Sequence, residues 1–182
     1  RKPTVYFTAS DKLRAPQMVD FVRAAADWLG AAHLADAAPA TWEAALKLVI
    51  GSAPAGKKLV LVLDEFQWLC ASSPELPSVL QECWDRHWRD SGRVMLILCG
   101  SFIGFMEREV LGEKSPLFGR RTAQVHLQPF DFGEARQFLP RASVEHTYRR
   151  VFGYAAASRN KIEWGQKRQF WEGEISTHPG EG

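Results

Sequence analysis

Two carboxylates stand side by side at Asp64 and Glu65, directly after the unbroken aliphatic run Leu59-Val60-Leu61-Val62-Leu63. A run of that length, β-branched in part, predicts a strand buried on both faces, as in a parallel sheet. A carboxylate at the C-terminal end of such a strand falls in the crevice where α/β sheets bind ligands. There Asp64 has the chemistry to help hold Mg²⁺ on a nucleotide, because Mg²⁺ takes hard oxygen ligands from one or two carboxylates and from phosphates. The plainer alternative is a strand that ends in a solvated acidic turn, and the dipeptide alone favours it. Three more polar residues enter the account. Ser101 follows Gly100 at the end of a second apolar run, Arg93–Cys99, and reads either as a helix N-cap or as a polar sensor beside Asp64. Arg120 and Arg121 close a loop rich in Gly, Pro and Ser, Gly112–Thr122.

These groups need a scaffold, and the rest of the chain supplies one in order. Thr4–Thr8 reads as a short β-branched and aromatic strand. From Met18 to about Leu34, the positions Met18, Phe21, Val22, Ala25, Trp28 and Leu29 fall at helical spacing. Thr41 is a good N-cap for a second helix through Ile50. Ser73 is expected to cap a long helix, with Pro74 at its first position and Leu76, Val79, Leu80, Cys83, Trp84 and Trp88 on one face. Ser91-Gly92 ends it. Ala123–Leu127 reads as a weaker strand, and Asp131 with Glu134 as a capping box for a helix to about Leu139. A last helix is expected from Ser143 through Phe152. Residues 1–153 form one domain in this reading, and 154–182 a loosely ordered tail ending in Pro179-Gly180-Glu181-Gly182. Of the seven tryptophans, Trp68, Trp84 and Trp88 are expected in core packing.

Composition narrows the partners. The 182 residues suit one domain of ordinary size, and an apolar content of 46% allows a sizeable core. A net charge of +2 with dispersed basic residues gives no electrostatic footprint for nucleic acid or for an anionic membrane. No apolar segment approaches the ~20 residues of a membrane span, and Arg1-Lys2-Pro3 leads straight into a strand rather than a signal peptide. Cys70, Cys83 and Cys99 are odd in number and lack metal-ligand spacing, which fits a reducing, cytoplasmic setting. The chain opens without an initiator Met, so a fragment is expected.

Three motif matches fail on context. Gly51 to Lys57 satisfies Gly-x-x-x-x-Gly-Lys, most of a phosphate-binding loop, but Lys58 stands where Ser or Thr must bind Mg²⁺. That turn also follows a helix and opens a strand, the reverse of the order that aims a helix N-terminus at an anion. Gly100-Ser101 is no nucleophile elbow, because Ser101 directly follows the glycine. Asp131-Phe132-Gly133 is a helix cap with no Gly-rich or catalytic loop beside it.

The full series resembles the AAA-like archaeal-type ATPase family of P-loop NTPases. The resemblance covers roughly residues 3–153. It is carried by Leu63-Asp64-Glu65-Phe66-Gln67, Cys99-Gly100-Ser101, Ser115-Pro116-Leu117-Phe118-Gly119-Arg120-Arg121-Thr122 and Leu127–Ala135. It implies an α/β fold of three αβα layers with a mostly parallel sheet. It also implies ATP as ligand with Mg²⁺, Asp64 as the Walker B carboxylate on the metal, and Glu65 as the general base. Ser101 matches the position that senses the γ-phosphate, and Arg120 or Arg121 the charge that neutralises the transition state, in cis or from a neighbouring subunit. Arginines in a loop are as often paired structurally.

The departure from the family is at the front. Such proteins carry a first strand, a Walker A loop and a first helix before the Thr4–Thr8 strand, and none is in this sequence. In that fold the missing strand lies between the Val94–Cys99 and Ala123–Leu127 strands. The expectation is therefore an ATP-hydrolysing domain, with little or no ATP binding by these 182 residues alone. The alternative is a degenerate ATPase fold that serves as a protein-interaction module, alone or as a homo-oligomer. A DNA-linked ATPase is a third possibility, unsupported by the charge distribution.

Overall fold

Three aliphatic runs pair side by side in the computed structural model, which describes residues 2–130. The chain divides into two compact units, residues 1–124 and 125–182. In the first unit the elements run β1 (Thr4–Thr8), α1 (Arg14–Leu29), a 3₁₀ turn (Ala32–Leu34), α2 (Trp42–Gly51), β2 (Leu59–Asp64), α3 (Phe66–Ser72) and α4 (Leu76–Cys83). The α4 helix continues through a π-helical turn (Trp84–Trp88) into α5 (Arg89–Ser91). Then come β3 (Val94–Leu98), α6 (Ile103–Phe105) and a second π-helical turn (Met106–Val110). The sheet order is β1-β2-β3 and both pairings are parallel. Parallel neighbours need crossover connections, and the helices supply them. This is the α/β architecture that the patterning implies.

Alternation along each strand decides which face takes the helices. Val5 and Phe7 lie in register with Leu61 and Leu63, and Leu59 and Leu61 with Val94 and Leu96. That face joins the core with Phe21, Val22 and Ala25 of α1, Ala45, Leu46 and Val49 of α2, and Leu76 and Leu80 of α4. Full burial of a leucine such as Leu61 or Leu63 stabilises by about 1.5–3 kcal/mol. The other face carries Tyr6, Val62, Met95 and Ile97, and Met95 is 48% exposed.

Local signals in the sequence act largely as expected. Thr41 Oγ1 accepts from the Ala44 N–H at 3.2 Å and starts α2. Gly30 adopts φ 65° and stops α1 at Leu29, so the helix expected to reach Leu34 becomes a helix, a left-handed cap and a 3₁₀ turn. Gly92, at φ 60°, ends α5. Ser73 does not cap the helix that follows. It is fully buried, and its Oγ accepts from Trp42 Nε1 at 2.7 Å, which ties α2 to the α3–α4 corner. The α3 helix, unforeseen, occupies the stretch before it.

Two expectations are corrected. Ala123–Leu127 forms no strand, and Val125 and Leu127 are exposed. Strand propensity fixes nothing without a ladder partner, and the segment has none among the described residues. Trp68 is 40% exposed, while Trp88 is buried and Trp42 takes the central place against Phe21 at 5.6 Å between ring centroids. The helices expected at 131–139 and 143–152, and the tail 154–182, lie outside the described residues. Among the described residues no helix is long and apolar enough to cross a membrane.

Candidate active site

The C-terminal ends of β2 and β3 are stitched together by the main chain. Cys99 N–H donates to Leu63 O at 3.0 Å, and Phe66 N–H donates to Cys99 O at 2.9 Å. On the other side, Ala9 N–H donates to Asp64 O at 3.0 Å. These bonds carry the order of the sheet past its last residues. As a result the turn after β2 lies directly beside the turn after β3.

Asp64 closes β2 and is half-buried. Its Oδ1 accepts from the Glu65 N–H at 3.0 Å, and its Oδ2 from the Tyr6 hydroxyl at 2.6 Å. Tyr6 is one strand over, on the face that Asp64 shares. The hydrogen bond to Asp64, then burial, pushes the Tyr6 phenol above its usual range.

Glu65 turns the chain from β2 into α3 with φ 52° and ψ 45°, a left-handed conformation at a residue that has a Cβ. The turn sends its side chain toward β3. Its Oε2 accepts from Ser101 Oγ at 2.8 Å, from the Ser101 N–H at 3.5 Å, and from Gln67 Nε2. Gln67 Nε2 also reaches Ser101 Oγ at 3.4 Å. The Ser101 hydroxyl, with Gln67 next, holds the Glu65 carboxyl below the usual carboxylate range, against the opposing effect of burial. At neutral pH Glu65 is therefore an ionised acceptor.

Of the residues singled out in the sequence, Asp64, Glu65 and Ser101 converge here. Arg120 and Arg121 do not join them: neither is hydrogen-bonded to Asp64, Glu65 or Ser101. Arg120 donates from Nε and Nη2 to Asp85, with Nη2 to Oδ2 at 2.7 Å, and from Nη1 to the carbonyls of Pro116 at 2.9 Å and Phe118 at 3.0 Å. That pairing is the structural alternative for this arginine, and it pins the Ser115–Arg120 loop to the π-helical turn after α4. Arg121 Nη1 donates to Gln124 Oε1 at 2.5 Å on an exposed surface.

Tyr6, Gln67 and Asp85 were not singled out in the sequence. Gln67 carried a signal, because it lies two positions after Glu65 in the most specific motif. Tyr6 carried a weaker one, as a polar-tipped residue two places from the end of a strand. Asp85 had none, because its partner lies 35 positions away.

The decoy turn keeps its plain reading. Gly51 ends α2, Lys57 N–H donates to Pro54 O at 3.3 Å, and β2 follows. A cavity of about 390 Å³, lined by Leu46, Ile50, Val79, Trp88 and Val94 among others, lies at the opposite ends of the strands from Asp64. It has no part in this constellation.

A model of the ATPase domain found predominantly in Archaea matches residues 4–152. The chain belongs to this family. The match makes it an ATPase-type domain of the P-loop NTPase superfamily, and the parallel sheet agrees. The domain is also 32% identical over 116 residues to the uncharacterized protein MJECL04 of Methanocaldococcus jannaschii. Those residues are 64% of this chain and 26% of that protein, so the chain spans about a quarter of the relative's length. No solved structure matches the domain.

The site suits Mg²⁺ in one respect that the geometry can test. Among the described residues no group of three or more His, Cys, Asp or Glu could cage a metal. Mg²⁺ at a nucleotide needs no such cage. It keeps several waters and takes one or two carboxylates plus phosphate oxygens, and a single half-buried aspartate at a strand end fits that demand.

Proposed function

We propose that this domain hydrolyses ATP with Mg²⁺ in the manner of an AAA-like ATPase, with Asp64 as its Walker B carboxylate, Glu65 as general base and Ser101 as the sensor of the γ-phosphate. The observation that carries the reading is the convergence of Asp64, Glu65 and Ser101 at the C-terminal ends of two parallel strands, in a chain that belongs to an ATPase family. Asp64 holds the metal side of the site, oriented by Tyr6. Glu65, ionised at neutral pH, accepts the proton of the attacking water. Its Oε2 is taken by Ser101 and Gln67, so Oε1 is the oxygen left for that water. Ser101 lies where a hydroxyl can donate either to Glu65 or to a phosphate oxygen. Mg²⁺, when bound, neutralises the charge of the phosphate oxygens. The protein is read as cytoplasmic, with nucleotide as its ligand.

The sequence contains no Gly-x-x-x-x-Gly-Lys-Ser/Thr, so these residues offer no backbone cradle and no lysine for the phosphates. Weak ATP binding by the 182-residue chain follows. The test is ATP binding and hydrolysis with Mg²⁺, on this chain and on a version extended upstream in its source DNA. The expected result is activity in the extended version and little in the shorter one. Glu65→Gln in the active form should retain ATP but lose hydrolysis by roughly 10²–10⁴-fold. Tight Mg²⁺-dependent binding by the 182 residues would overturn the weak-binding expectation. Unchanged hydrolysis in Glu65→Gln would overturn the catalytic one, and would favour a protein-interaction module instead.

A further inference from the structure

The structure assigns to Gln67 the task of positioning Glu65: its amide holds one carboxylate oxygen in place, and Gly100 exists to give that amide room. The inference rests on the reading of Glu65 as the base. Its first support is the convergence on Glu65 Oε2. Gln67 Nε2, Ser101 Oγ and Ser101 N–H all meet that single oxygen, and Gln67 Nε2 also reaches Ser101 Oγ. Oε1 accepts no hydrogen bond among the described residues. The carboxylate is thereby fixed by one oxygen and offered by the other.

The second support is the orientation of the Gln67 amide. An ionised carboxylate only accepts, so the NH₂ end must face Glu65. The carbonyl end then points the other way. Gln67 Oε1 is buried there and has no hydrogen-bond partner among the described residues. A buried acceptor left unpaired disfavours a rotamer. The charge-assisted bond to Glu65 is what holds this one.

The third support is Gly100. A Cβ on it would stand 2.8 Å from Gln67 Oε1 and 2.8 Å from Met106 Sδ. Gly100 is not among the positive-φ glycines, so no turn demands it. What it supplies is space, shared by the unpaired end of the Gln67 amide and the Met106 side chain. The orphaned acceptor and the missing side chain at Gly100 meet at one place, where Met106 also packs. A side chain at Gly100 would therefore push on the amide that is placed against Glu65.

A merely structural Gln67 would tie α3 to the turn after β3 and matter only for stability. A positioning Gln67 changes kcat and leaves substrate affinity alone. The experiment compares Gln67→Ala and Gly100→Ala with the parent, in the ATP-hydrolysing form of the protein, with crystal structures of the parent and of Gln67→Ala alongside. For Gln67→Ala the expected result is a kcat lower by roughly 10- to 100-fold, the range for losing a group that orients a functional side chain. KM for ATP should change less than twofold. Gly100→Ala should also lower kcat, and should lower it less in the Gln67→Ala background, where only the crowding of Met106 remains. In the crystal structure of Gln67→Ala, Glu65 should leave Ser101 and take more than one rotamer.

Several results would overturn the inference. One is a parent structure in which Gln67 does not touch Glu65. Another is a Gln67→Ala structure in which Glu65 stays on Ser101 in its original rotamer. A third is Gln67→Ala with parental kcat while Glu65→Gln is inactive. If Glu65→Gln hydrolyses ATP as the parent does, the reading of Glu65 as base fails instead, and the two crystal structures alone decide whether Gln67 holds its side chain.

Discussion

The Tyr6 hydroxyl donates to Asp64 Oδ2 at 2.6 Å, from one strand of the sheet to the end of the next. With the Glu65 N–H on Oδ1, it leaves the Asp64 carboxylate little freedom to turn. A metal bound there would meet an oriented oxygen rather than a swinging one. Tyr6→Phe keeps the ring on an exposed face and removes only the donor. The expected outcome is a Mg²⁺ concentration for half-maximal hydrolysis raised by roughly tenfold, with kcat at saturating Mg²⁺ nearly unchanged. An unaltered Mg²⁺ dependence would reduce Tyr6 to a cover for the strand end.

The two arginines should separate in their effects. Arg120 spends its donors on Asp85 and on two carbonyls of its own loop. Arg120→Ala should therefore loosen the Ser115–Arg120 loop, seen as faster proteolytic cleavage there, before it affects chemistry. Arg121 donates to Gln124 on an exposed surface, and we propose it as the arginine that reaches a neighbouring subunit's nucleotide. Arg121→Ala should leave the loop's protease resistance intact and lower hydrolysis in a concentration-dependent manner. The reverse assignment of the two phenotypes would show that the Asp85 clamp opens during turnover.

The same clamp has a pH signature. Its hydrogen bonds from Arg120 hold the Asp85 carboxyl below the usual carboxylate range. A carboxyl lowered by folding contributes stability above its unfolded value, near 3.9 for aspartate, and loses that contribution as pH falls through the lowered folded value. The difference in urea midpoint between the parent and Asp85→Asn should accordingly be present at pH 7 and shrink below about pH 4. A difference that persists undiminished at pH 2 would mean that Asp85 acts through packing and not through charge.

Trp42 carries the heaviest single load in the core. It is 1% exposed, packs on Phe21, and donates Nε1 to the buried Ser73 Oγ. Trp42→Ala should lower stability by about 3–5 kcal/mol, through a cavity and an unpaired hydroxyl together. Trp42→Phe should cost about 1–3 kcal/mol, since one aromatic ring survives while the donor and part of the buried volume are lost. Chemical denaturation measures both. Equal losses would mean that the hydrogen bond carries the whole effect.

Thiol chemistry should report on the α3 corner. Burial, with Glu109 adding to it, pushes the Cys70 thiol up to about 12. Cys83 and Cys99 are also raised, each chiefly by burial. Because the thiolate is the nucleophile, a thiol reagent at pH 8 should label half-buried Cys99 first and Cys70 last. Mass spectrometry reads the order directly. Fast labelling of Cys70 in the folded protein would show that α3 opens locally.

Where the sequence was informative, the reason was local. Leu59–Leu63 read as a buried strand from its unbroken aliphatic run, with Asp64 and Glu65 at its end. Thr41 and Gly92 announced their helix boundaries because caps act within one turn, whereas Gly30 stopped its helix at Leu29, short of the expected Leu34. Ala123–Leu127 misled because composition cannot say whether a partner strand is at hand. Ser73 misled because a hydroxyl that looks like a cap to its own chain was claimed by Trp42, 31 residues back. Asp85 pairs with Arg120, 35 positions away, and Glu65 with Ser101, 36 positions away, and spacing alone carries no trace of such pairs. The site was legible in its strand-borne members and hidden in those that hold them.

Glu65 is the one residue with a Cβ among the described positions that adopts positive φ. A side chain in that conformation costs about 1–2 kcal/mol relative to glycine or a right-handed alternative. By backbone conformation alone, glycine would be the more stable residue at this turn. Against that cost stand the hydrogen bonds that the Glu65 carboxylate accepts from Ser101 and Gln67. Glu65→Gly would relieve the backbone and cut this tie between the turns after β2 and β3, so its effect on stability is the difference of two opposed contributions.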